Sequence, residues 1–427
     1  MRPLDVGIIG AGTAGSAAAL FLARAGHRVT VYERVPTPAA VGAGITLQPT
    51  GLHVLHRLGL DAEVVSHGAR IDRLFCESSS RTPLVDLSYA TIGEGLFGLG
   101  LHRGVLFEAL FGAAARQSGV TMLTGREIVD LARAEPPRAG ARSRWSWFVD
   151  VHRERHGPHE LVVVADGARS QLRDDTNTSK VVERYPWGAL WFVGRQPYDE
   201  PHPMTRTLHQ VVDGNQRFLG FLPTGFGPAL SRTGARPERL VSLFWSIRGD
   251  RVTEWRERGL DAWKSSVSAL AKEAEPVLDQ IHDEAQVLFA AYHDVVMHRW
   301  HTRNVVYLGD AAHATSPQLG QGCNLALWDA MELHDCLAEE PRDLALALSR
   351  YSRRREEHLG FYQTATRWLT PFFQGDVEAL GRLRDIAMPL MGKVSPMNRL
   401  MTLSMLGVVD GFFGRTLTLR LPSGTLG

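Results

Sequence analysis

The stretch VGIIGAGTAGSAAALFLARAGHRVTVYE, residues 6–33, decides the fold of this chain. An apolar strand leads into a G-x-G-x-x-G turn, an Ala/Leu-rich helix follows, and a second strand ends in Glu33. Parallel βαβ units with this pattern bind the pyrophosphate of a dinucleotide at the helix N-terminus, and the acidic residue binds the adenosine ribose. The stretch therefore predicts an α/β fold built on a Rossmann-like nucleotide-binding domain.

The residues of the glycine-rich turn have separate predicted tasks. Gly10 makes the turn, Gly12 admits the pyrophosphate, and Gly15 lets the helix pack closely on the strand. Ala14 lies in the same turn and is counted with the cofactor-binding residues. The fingerprint alone does not distinguish FAD from NAD.

A second glycine-rich segment follows at residues 42–51 and includes Gly44. It is predicted to be a loop in which the backbone can approach an extended, flat ligand, which an NAD dehydrogenase has no obvious need of. The alternative is an ordinary loop that leads into a helix.

A third glycine-bearing stretch lies at residues 304–324, where an apolar run ends in Gly309-Asp310 and a helical pattern begins after a glycine-rich turn. The Asp310 carboxylate can accept a hydrogen bond from a ribityl or ribose hydroxyl. Gly320 and Gly322 leave room for close approach of the backbone. The N–H groups that begin the helix can donate to a ring carbonyl that becomes anionic on reduction. These N–H groups belong to Gly322, Cys323 and Asn324.

Composition excludes several classes of protein. The 427 residues are 44% hydrophobic and 22% charged, as in an ordinary globular protein of two or three structural units. A formal net charge of +1 gives no electrostatic footprint for nucleic acid. The three cysteines form no CxxC pair, so neither a disulfide framework nor a zinc site is predicted. His152, His156 and His159 are predicted to be solvent-exposed in a polar loop, so no metal is expected.

Targeting signals are also missing from the pattern. No signal peptide is recognisable, and no apolar run approaches the roughly 20 residues that cross a bilayer. A cytoplasmic protein without a transmembrane segment is expected.

The middle of the chain predicts a mostly antiparallel sheet inserted into the nucleotide domain. A strand at residues 161–164 ends in Asp166-Gly167, and several apolar or alternating stretches between residues 181 and 247 resemble strands. From Leu344 onward the pattern is helical. The run Arg353, Arg354 and Arg355 is predicted to be solvated.

Three separated elements, the turn at residues 10–15 with Glu33, the Asp166-Gly167 turn with Arg173, and Gly309-Asp310 through Gly322, together resemble the single-component FAD-dependent aromatic hydroxylases. That family includes the para-hydroxybenzoate, salicylate and 3-hydroxybenzoate hydroxylases. The resemblance covers roughly residues 4 to 370 and is far more specific than any one element.

The resemblance implies a Rossmann-like FAD-binding domain with an inserted, mostly antiparallel β-sheet substrate domain and a helical C-terminal region. The expected domain boundaries are 1–72, 98–180 and 285–345 for the FAD domain, 73–97 and 181–284 for the substrate sheet, and 346–427 for the C-terminal region.

The same resemblance implies roles for individual residues. Arg34 would lie on the adenine side, and Arg103 would meet the ribityl-phosphate region. Asp166 would belong to the motif linked to both FAD and reduced nicotinamide. Pro317 would lie at the flavin face, where oxygen is handled. His209 is the nearest candidate for a base on the substrate, and a histidine on the surface or packed within the sheet is the alternative.

Two further roles are implied for the third glycine-bearing stretch. Asp310 would bind the ribityl and pyrophosphate portion of FAD. The segment from Gly322 to Asn324 would lie at the pyrimidine edge of the flavin.

The implied activity is an NADH- or NADPH-dependent monooxygenase. Reduced FAD would add dioxygen at C4a, and the resulting hydroperoxide would pass one oxygen atom to a small aromatic or heteroaromatic substrate. The alternatives are a reductase or halogenase-like flavin enzyme and a flavin-binding protein without turnover. Flavin halogenases of related fold need a lysine in the N-terminal third, but no lysine precedes Lys180 here. The substrate, the choice of nicotinamide and association as a homodimer stay open.

Overall fold

A computed structural model describes residues 2–39, 42–133, 145–173, 179–228, 238–412, 415–421 and 424–426. The first part of the chain contains β1 (Asp5–Ile9), α1 (Thr13–Arg24), β2 (Arg28–Glu33), β3 (Gly44–Leu47), α2 (Pro49–Arg57), α3 (Asp61–His67), β4 (Ala69–Ile71), β5 (Arg73–Ser78), β6 (Pro83–Ser88), β7 (Gly98–His102), α4 (Arg103–Arg116), β8 (Val120–Thr124) and β9 (Ile128–Arg133).

The middle part contains β10 (Ser146–Asp150), β11 (Arg155–His159), β12 (Leu161–Val164), β13 (Ser179–Arg195), β14 (Thr207–Asp213), β15 (Arg217–Gly225), β16 (Leu240–Arg248), α5 (Val252–Arg258), α6 (Leu260–Leu270), α7 (Glu275–Leu278) and β17 (Leu288–Met297). The last part contains β18 (His301–Thr302), β19 (Val305–Tyr307), α8 (Asp310–His313), α9 (Gly322–Glu339), α10 (Leu344–Phe373), α11 (Glu378–Lys393), α12 (Ser395–Leu406), β20 (Val409–Asp410), β21 (Arg415–Thr416), β22 (Leu419–Leu421) and β23 (Gly424–Leu426).

The nucleotide-binding part is a six-stranded sheet with the order β18-β19-β12-β1-β2-β8, in which all pairs except β18-β19 are parallel. Its strands are apolar runs because both faces are covered, and all four residues of β12 are buried. In such a sheet, ligands bind outside the carboxyl ends of the strands. The turns after β1, β12 and β19 therefore meet at one edge.

The sheet predicted to bind the substrate has seven strands in the order β17-β13-β16-β15-β14-β5-β6, antiparallel except between β14 and β5. One face packs on α5, α6 and α7 and forms a second apolar core that includes Phe221, Leu243 and Val267. The other face contacts β3, since Gly44 lies against Ser242 and Leu222. The predicted α/β fold with an inserted, mostly antiparallel sheet and a helical C-terminal region is confirmed, whereas the residue boundaries of the domains stay a prediction.

The glycine-rich segment at residues 42–51 is not wholly a loop as predicted. Residues Gly44–Leu47 form β3, which pairs with β7 in a three-stranded sheet that also contains β4. A Cβ at Gly44 would lie 2.5 Å from the Ser242 Oγ, and a Cβ at Gly100 would overlap with the Pro223 carbonyl. These glycines let the small sheet lie close to the large one.

His152, His156 and His159 are predicted from the sequence to be solvent-exposed. The prediction is wrong for His159, which is 3% exposed. Its Nδ1 lies 2.9 Å from the Asp5 carboxylate, and its Nε2 lies 3.0 Å from the Tyr32 hydroxyl. His156 pairs with Asp150 at 2.9 Å, and Glu154 completes a group whose ligand atoms lie within 4.8 Å of one another. The Arg126 guanidinium lies 3.7 Å from Asp150 and 3.4 Å from Glu154 and offsets part of the negative charge of this group.

The C-terminal helices are tied into the nucleotide-binding part by backbone carbonyls at the end of α12. The Gln321 side chain donates to the Met405 carbonyl at 2.7 Å, and the Thr50 hydroxyl donates to the Leu406 carbonyl at 3.2 Å. His358 of α10 donates through Nε2 to the Gly407 carbonyl at 3.0 Å. Among the helices described, none combines the length and the apolar character needed to cross a membrane.

Candidate active site

The N-terminus of α1 forms one wall of the candidate site. Gly10 adopts φ +96°, which turns the chain out of β1, and a Cβ at Gly15 would overlap with the Gly10 carbonyl oxygen. The helix begins after Gly12, and no described side chain caps it. A Cβ at Gly12 would meet no described atom within 4 Å. The first-turn N–H groups, which a helix cannot satisfy internally, therefore border open space that suits an anion.

Glu33 is held at the same turn by two backbone groups. Its Oε2 accepts from the Ala11 N–H and its Oε1 accepts from the Val35 N–H, both at 2.9 Å. Each carboxylate oxygen has a second lone pair, so Glu33 can still accept from ribose hydroxyls. Arg34 is exposed next to it.

The structure brings the three glycine-bearing turns together. A Cβ at Gly10 would lie 2.9 Å from the Asp166 Cα, so the turn after β12 contacts the turn after β1. A Cβ at Gly309 would lie 3.0 Å from the Ala14 Cβ, so the Gly309-Asp310 turn contacts the first turn of α1. Asp310 itself is exposed beside this groove.

Asp166 is half-buried, and one of its two carboxylate oxygen atoms is buried. Burial raises the pKa of its carboxyl group, and a hydrogen bond from Ser170 and the charges of Arg173 and Arg34 act against this. Its Oδ1 has no hydrogen-bond partner among the described residues. Arg173 fixes the turn, because its Nε donates to the Ala311 carbonyl at 2.7 Å and its Nη1 donates to the Ser170 carbonyl at 2.8 Å. Asp166 Oδ1 can therefore accept a hydrogen bond from a hydroxyl group of a ligand.

The charges of two predicted cofactor-binding residues, Arg103 and Asp310, act on the Cys323 thiol. Burial raises the pKa of its thiol to about 12, the Arg103 charge lowers the pKa in part, and the Asp310 charge raises it further. Both side chains are thus close enough to act on the same sulfur atom. Arg103 is exposed at the first position of α4. The thiol stays neutral at physiological pH and is not a nucleophile.

The start of α9 is fixed by Asn324. Its Oδ1 accepts from the Gln48 N–H at 2.8 Å, and its Nδ2 donates to the carbonyls of Thr46 and Gly320, both at 3.2 Å. Gly320 adopts φ +61°, and a Cβ at Gly322 would meet no described atom within 4 Å. The side chain holds the helix terminus against β3, so the amides that begin α9 stay accessible.

Pro317 begins a short 3₁₀ helix, Pro317–Leu319, and is exposed. The next residue joins this segment to the large sheet, since Gln318 Nε2 donates to Gln374 Oε1 at 2.6 Å and Gln374 Nε2 donates to Ser246 Oγ at 2.6 Å. Ser246 shares a face of β16 with Ser242, which contacts Gly44. The space beside Pro317 is therefore bounded by the sheet face that also faces β3.

His209 is not brought to this site. It pairs across β14 and β15 with Phe221, whose side chain belongs to the core under α5 to α7. Its Nε2 lies 3.1 Å from Glu77 Oε1, and burial lowers the pKa of its imidazole. Because side chains alternate between the faces of a strand, His209 points away from the face that contacts Gly44.

Sequence reasoning missed a buried charged group behind the site. Asp329 on α9 is 0% exposed and accepts from the Gly309 N–H, from His313 and from Arg355. The prediction that Arg355 is solvated is wrong, because this residue is 1% exposed. An acidic residue inside the apolar helical pattern after Leu325 was the available signal, but its partners lie on other elements.

Comparisons with known proteins were made for the whole chain. The sequence model described as FAD binding domain matches residues 3–360. A 6-hydroxynicotinate 3-monooxygenase from Bordetella bronchiseptica is 28% identical over 369 residues, with 82% of this chain and 88% of the relative covered. A 3-amino-4-hydroxybenzoate 2-monooxygenase from Streptomyces cremeus is 29% identical over 382 residues, with coverages of 83% and 84%. A probable 2-heptyl-3-hydroxy-4(1H)-quinolone synthase from Rhodococcus erythropolis is 27% identical over 350 residues, with coverages of 81% and 82%.

Solved structures share the fold. The structure of 2-methyl-3-hydroxypyridine-5-carboxylic acid oxygenase aligns with a TM-score of 0.72 at 21% identity and covers 96% of this chain and 99% of that chain. An HpxO variant from Klebsiella pneumoniae, solved in complex with FAD, aligns with a TM-score of 0.76 at 19% identity, with coverages of 95% and 99%.

Proposed function

The chain belongs to the FAD-binding domain family, and from this premise we propose how its residues serve an FAD-dependent monooxygenase of aromatic or heteroaromatic substrates. The predicted family, the FAD cofactor and the monooxygenase class are confirmed by the comparisons. The two alternatives, a reductase or halogenase-like enzyme and a flavin-binding protein without turnover, are not favoured.

One observation carries the assignment of residues: the turns that follow β1, β12 and β19 converge at the N-terminus of α1. Gly10, Gly12 and the amides up to Gly15 would hold the pyrophosphate, and Glu33 would hold the adenosine ribose. Asp310, which follows the Gly309 that contacts Ala14, would bind the ribityl side. Arg34 and Arg103 keep the roles that the resemblance implies, and Gly44 keeps its role in the glycine-rich segment that a flat, extended ligand can approach.

Several features of the groove fit FAD. A Cβ at Gly12, Gly320 or Gly322 would meet no described atom within 4 Å, so a flat, extended ligand could approach the backbone at all three positions. Asp166 Oδ1, which has no hydrogen-bond partner among the described residues, matches a hydroxyl donor. When bound and reduced by NADH or NADPH, FAD activates dioxygen and supplies one oxygen atom to the substrate.

The residues at the start of α9 stabilise negative charge at the pyrimidine edge. The N–H groups of Gly322, Cys323 and Asn324 lie at the positive end of the helix dipole. The Cys323 thiol, whose pKa is about 12, stays neutral and adds no charge that opposes an anion. Asn324 fixes these donors through its bonds to β3, so they need no reorganisation. Pro317 covers the neighbouring face and excludes water there.

A group of cationic side chains beside Asp310 suits the phosphates of the nicotinamide cofactor. Burial lowers the pKa of the His293 imidazole, and the charges of Arg169, Arg184 and Arg173 lower it further, while Asp310 raises it. Arg169 and Arg184 are exposed. We infer that these two side chains attract NADH or NADPH during each turnover.

The substrate pocket is proposed to lie between Pro317 and the large sheet. Trp191 and Phe244 lie with ring centroids 5.1 Å apart, and the Trp191 indole donates to the Tyr292 hydroxyl at 3.2 Å. Burial raises the pKa values of Tyr185 and Tyr292 to about 12, so both hydroxyls stay protonated. Tyr185 donates its proton to Gln374 Oε1 at 3.2 Å, whereas Tyr292 accepts from Trp191 and can donate its proton to a substrate. These features favour a planar substrate that accepts hydrogen bonds.

The purified protein provides the test of function. A flavin absorption spectrum, NADH or NADPH oxidation accelerated by a heteroaromatic compound, and one atom of label from ¹⁸O₂ in the product are expected. Oxidation of the nicotinamide without incorporation of labelled oxygen by any member of a panel of pyridines, quinolones and aminobenzoates would contradict the proposal.

Association as a homodimer is proposed through α11. Leu383, Ile386 and Leu390 follow one another at helical spacing and are 52%, 66% and 59% exposed. Light scattering should give the mass of a dimer for the native protein and of a monomer for Ile386→Asp. A native monomer would contradict this. The cytoplasmic location stays a prediction, to be tested by cell fractionation.

A further inference from the structure

A buried carboxylate lies directly behind the Gly309-Asp310 turn. Asp329 Oδ2 accepts from the Gly309 N–H at 2.7 Å and lies 2.6 Å from His313 Nε2. Asp329 Oδ1 accepts from Arg355 Nε at 2.7 Å. One carboxylate thus joins α8, α9 and α10 at the point where the chain turns into the cofactor groove.

The turn held by Asp329 has a backbone conformation that needs support. Gly309 adopts φ 59° and ψ −143°, a region populated almost only by glycine. A Cβ at this position would also lie 3.0 Å from the Ala14 Cβ and 3.3 Å from the Ala326 Cβ. The following residue, Asp310, begins α8 directly beside the contact between Gly309 and the first turn of α1. A hydrogen bond that fixes the Gly309 N–H therefore also fixes the orientation of Asp310.

The carboxylate remains ionised inside the protein. Burial alone would raise the pKa of Asp329, but the charges of His313 and Arg355 and the hydrogen bonds from His313 and Gly309 outweigh burial and lower it. A charged acceptor binds an N–H group about twice as strongly as a neutral one. The Gly309 amide is thus held by a permanent negative charge.

The arrangement continues into the C-terminal region. Arg355 Nη1 donates to His358 Nδ1 at 2.6 Å, and His358 Nε2 donates to the Gly407 carbonyl beyond α12. Burial and the Arg355 charge lower the pKa of His358 to about 3, so this ring is neutral and can accept from Arg355. Arg355 is therefore held on both sides and cannot easily move away from Asp329.

We propose that Asp329 is a positioning residue for cofactor binding, which fixes Asp310 against the N-terminus of α1 through the Gly309 N–H. The inference rests on the proposed contact between Asp310 and FAD. Asp329 does not touch the cofactor, so its effect passes through Asp310.

A double-mutant cycle on FAD binding tests the positioning role. Apoproteins are titrated with FAD, and the dissociation constant is read from quenching of flavin fluorescence. In the native background, Asp310→Asn should weaken binding about tenfold, equivalent to about 1.4 kcal/mol. In the Asp329→Asn background, the same change should weaken binding by less than about threefold, because Asp310 is no longer oriented. Coupling of this kind is expected only for residues that act together.

Asp335→Asn provides the matched control. Asp335 lies on the same helix, but its carboxylate pairs with the Arg57 guanidinium at 2.6 and 2.7 Å instead of with the Gly309 N–H. In that background the effect of Asp310→Asn should stay near tenfold. If Asp329 has a purely structural role, Asp310→Asn should weaken FAD binding by the same tenfold factor in the Asp329→Asn and the Asp335→Asn backgrounds. This result would overturn the inference.

Asp329→Glu tests whether the position of the acceptor matters when its charge is kept. It also replaces Asp329→Asn as the test variant if that protein does not fold. It keeps the negative charge for Arg355 and His313 but displaces the acceptor from the Gly309 N–H. Loss of the Asp310 effect in this variant supports positioning, and a retained tenfold effect refutes it. If the native protein binds FAD but Asp310→Asn changes nothing, the assigned role of Asp310 and the inference both fail. A native protein that does not bind FAD contradicts the function itself.

Discussion

Replacement of Gly12 by alanine should separate cofactor binding from folding. In the structure a Cβ at Gly12 meets no described atom within 4 Å, so the apoprotein accommodates the methyl group. Alanine at a helix N-cap costs about 1 kcal/mol relative to a good cap. Replacement of glycine also lowers the conformational entropy of the unfolded chain, which stabilises the folded state by about 0.4–1 kcal/mol. We expect the free energy of unfolding of the apoprotein to change by less than about 1 kcal/mol.

Cofactor binding should respond very differently. The methyl group would occupy the space through which the pyrophosphate approaches the first-turn amides of α1. Hydrogen bonds to charged groups contribute about 1.5–3 kcal/mol each. The loss of two such bonds raises the dissociation constant of FAD by at least about 100-fold, since 1.4 kcal/mol corresponds to a factor of ten.

Thermal unfolding with and without FAD measures both quantities. Ligand at 100 times its dissociation constant stabilises the folded state by about 2.7 kcal/mol, so FAD should raise the melting temperature of the native protein and not that of Gly12→Ala. Gly15→Ala is the matched contrast, because its Cβ overlaps with the Gly10 carbonyl oxygen and should destabilise even the apoprotein. FAD affinity of Gly12→Ala within threefold of native, or an apoprotein as unstable as Gly15→Ala, would refute the reasoning.

Three further predictions follow from charge and burial. Arg169→Ala and Arg184→Ala should each raise KM for NADH or NADPH several-fold at low ionic strength with little change in kcat. The same change at Arg258, whose side chain is 72% exposed, should have no such effect. His358 is neutral when folded and charged when unfolded between its lowered pKa of about 3 and the usual value near 6.5. Stability should therefore fall as the pH is lowered through this window, by up to about 1.4 kcal/mol per pH unit, and urea unfolding of the native protein and His358→Gln at pH 7 and 5 checks this slope. His209→Asn should lower thermal stability but leave the pH profile of kcat/KM unchanged, and a lost titration in that profile would restore His209 as a base.

Local patterns made the nucleotide-binding part predictable. A strand, three glycines, a helix and Glu33 follow one another within 28 residues, so their spacing alone places them at one edge of a sheet. The convergence of Asp166 and Asp310 on that turn could be predicted only through resemblance, because each comes from a distant segment. Their contacts depend on β12 and β19 lying beside β1, which is a long-range property.

The errors have long-range causes as well. Three consecutive helical residues point in directions about 100° apart, so one of the three arginines faces inward, and Asp329 decides that this is Arg355. β3 pairs with β7 about fifty residues later, and a short strand of this kind has no local signature. Strand alternation places His209 on one face of its sheet, but only the helices α5 to α7 determine that this face is the one remote from the cofactor groove.

The carbonyls at the end of α12 affect where the chain can be cut. The family match stops at residue 360, yet Gln321, Thr50 and His358 all donate to carbonyls between residues 405 and 407. An expression fragment that ends at residue 360 would leave these donors without their carbonyl acceptors and would remove the C-terminal segment bonded to His358, the partner of the buried Arg355. The segment beyond residue 360 belongs to the same folding unit, so fusions and truncations intended to preserve the flavin-binding half must retain it.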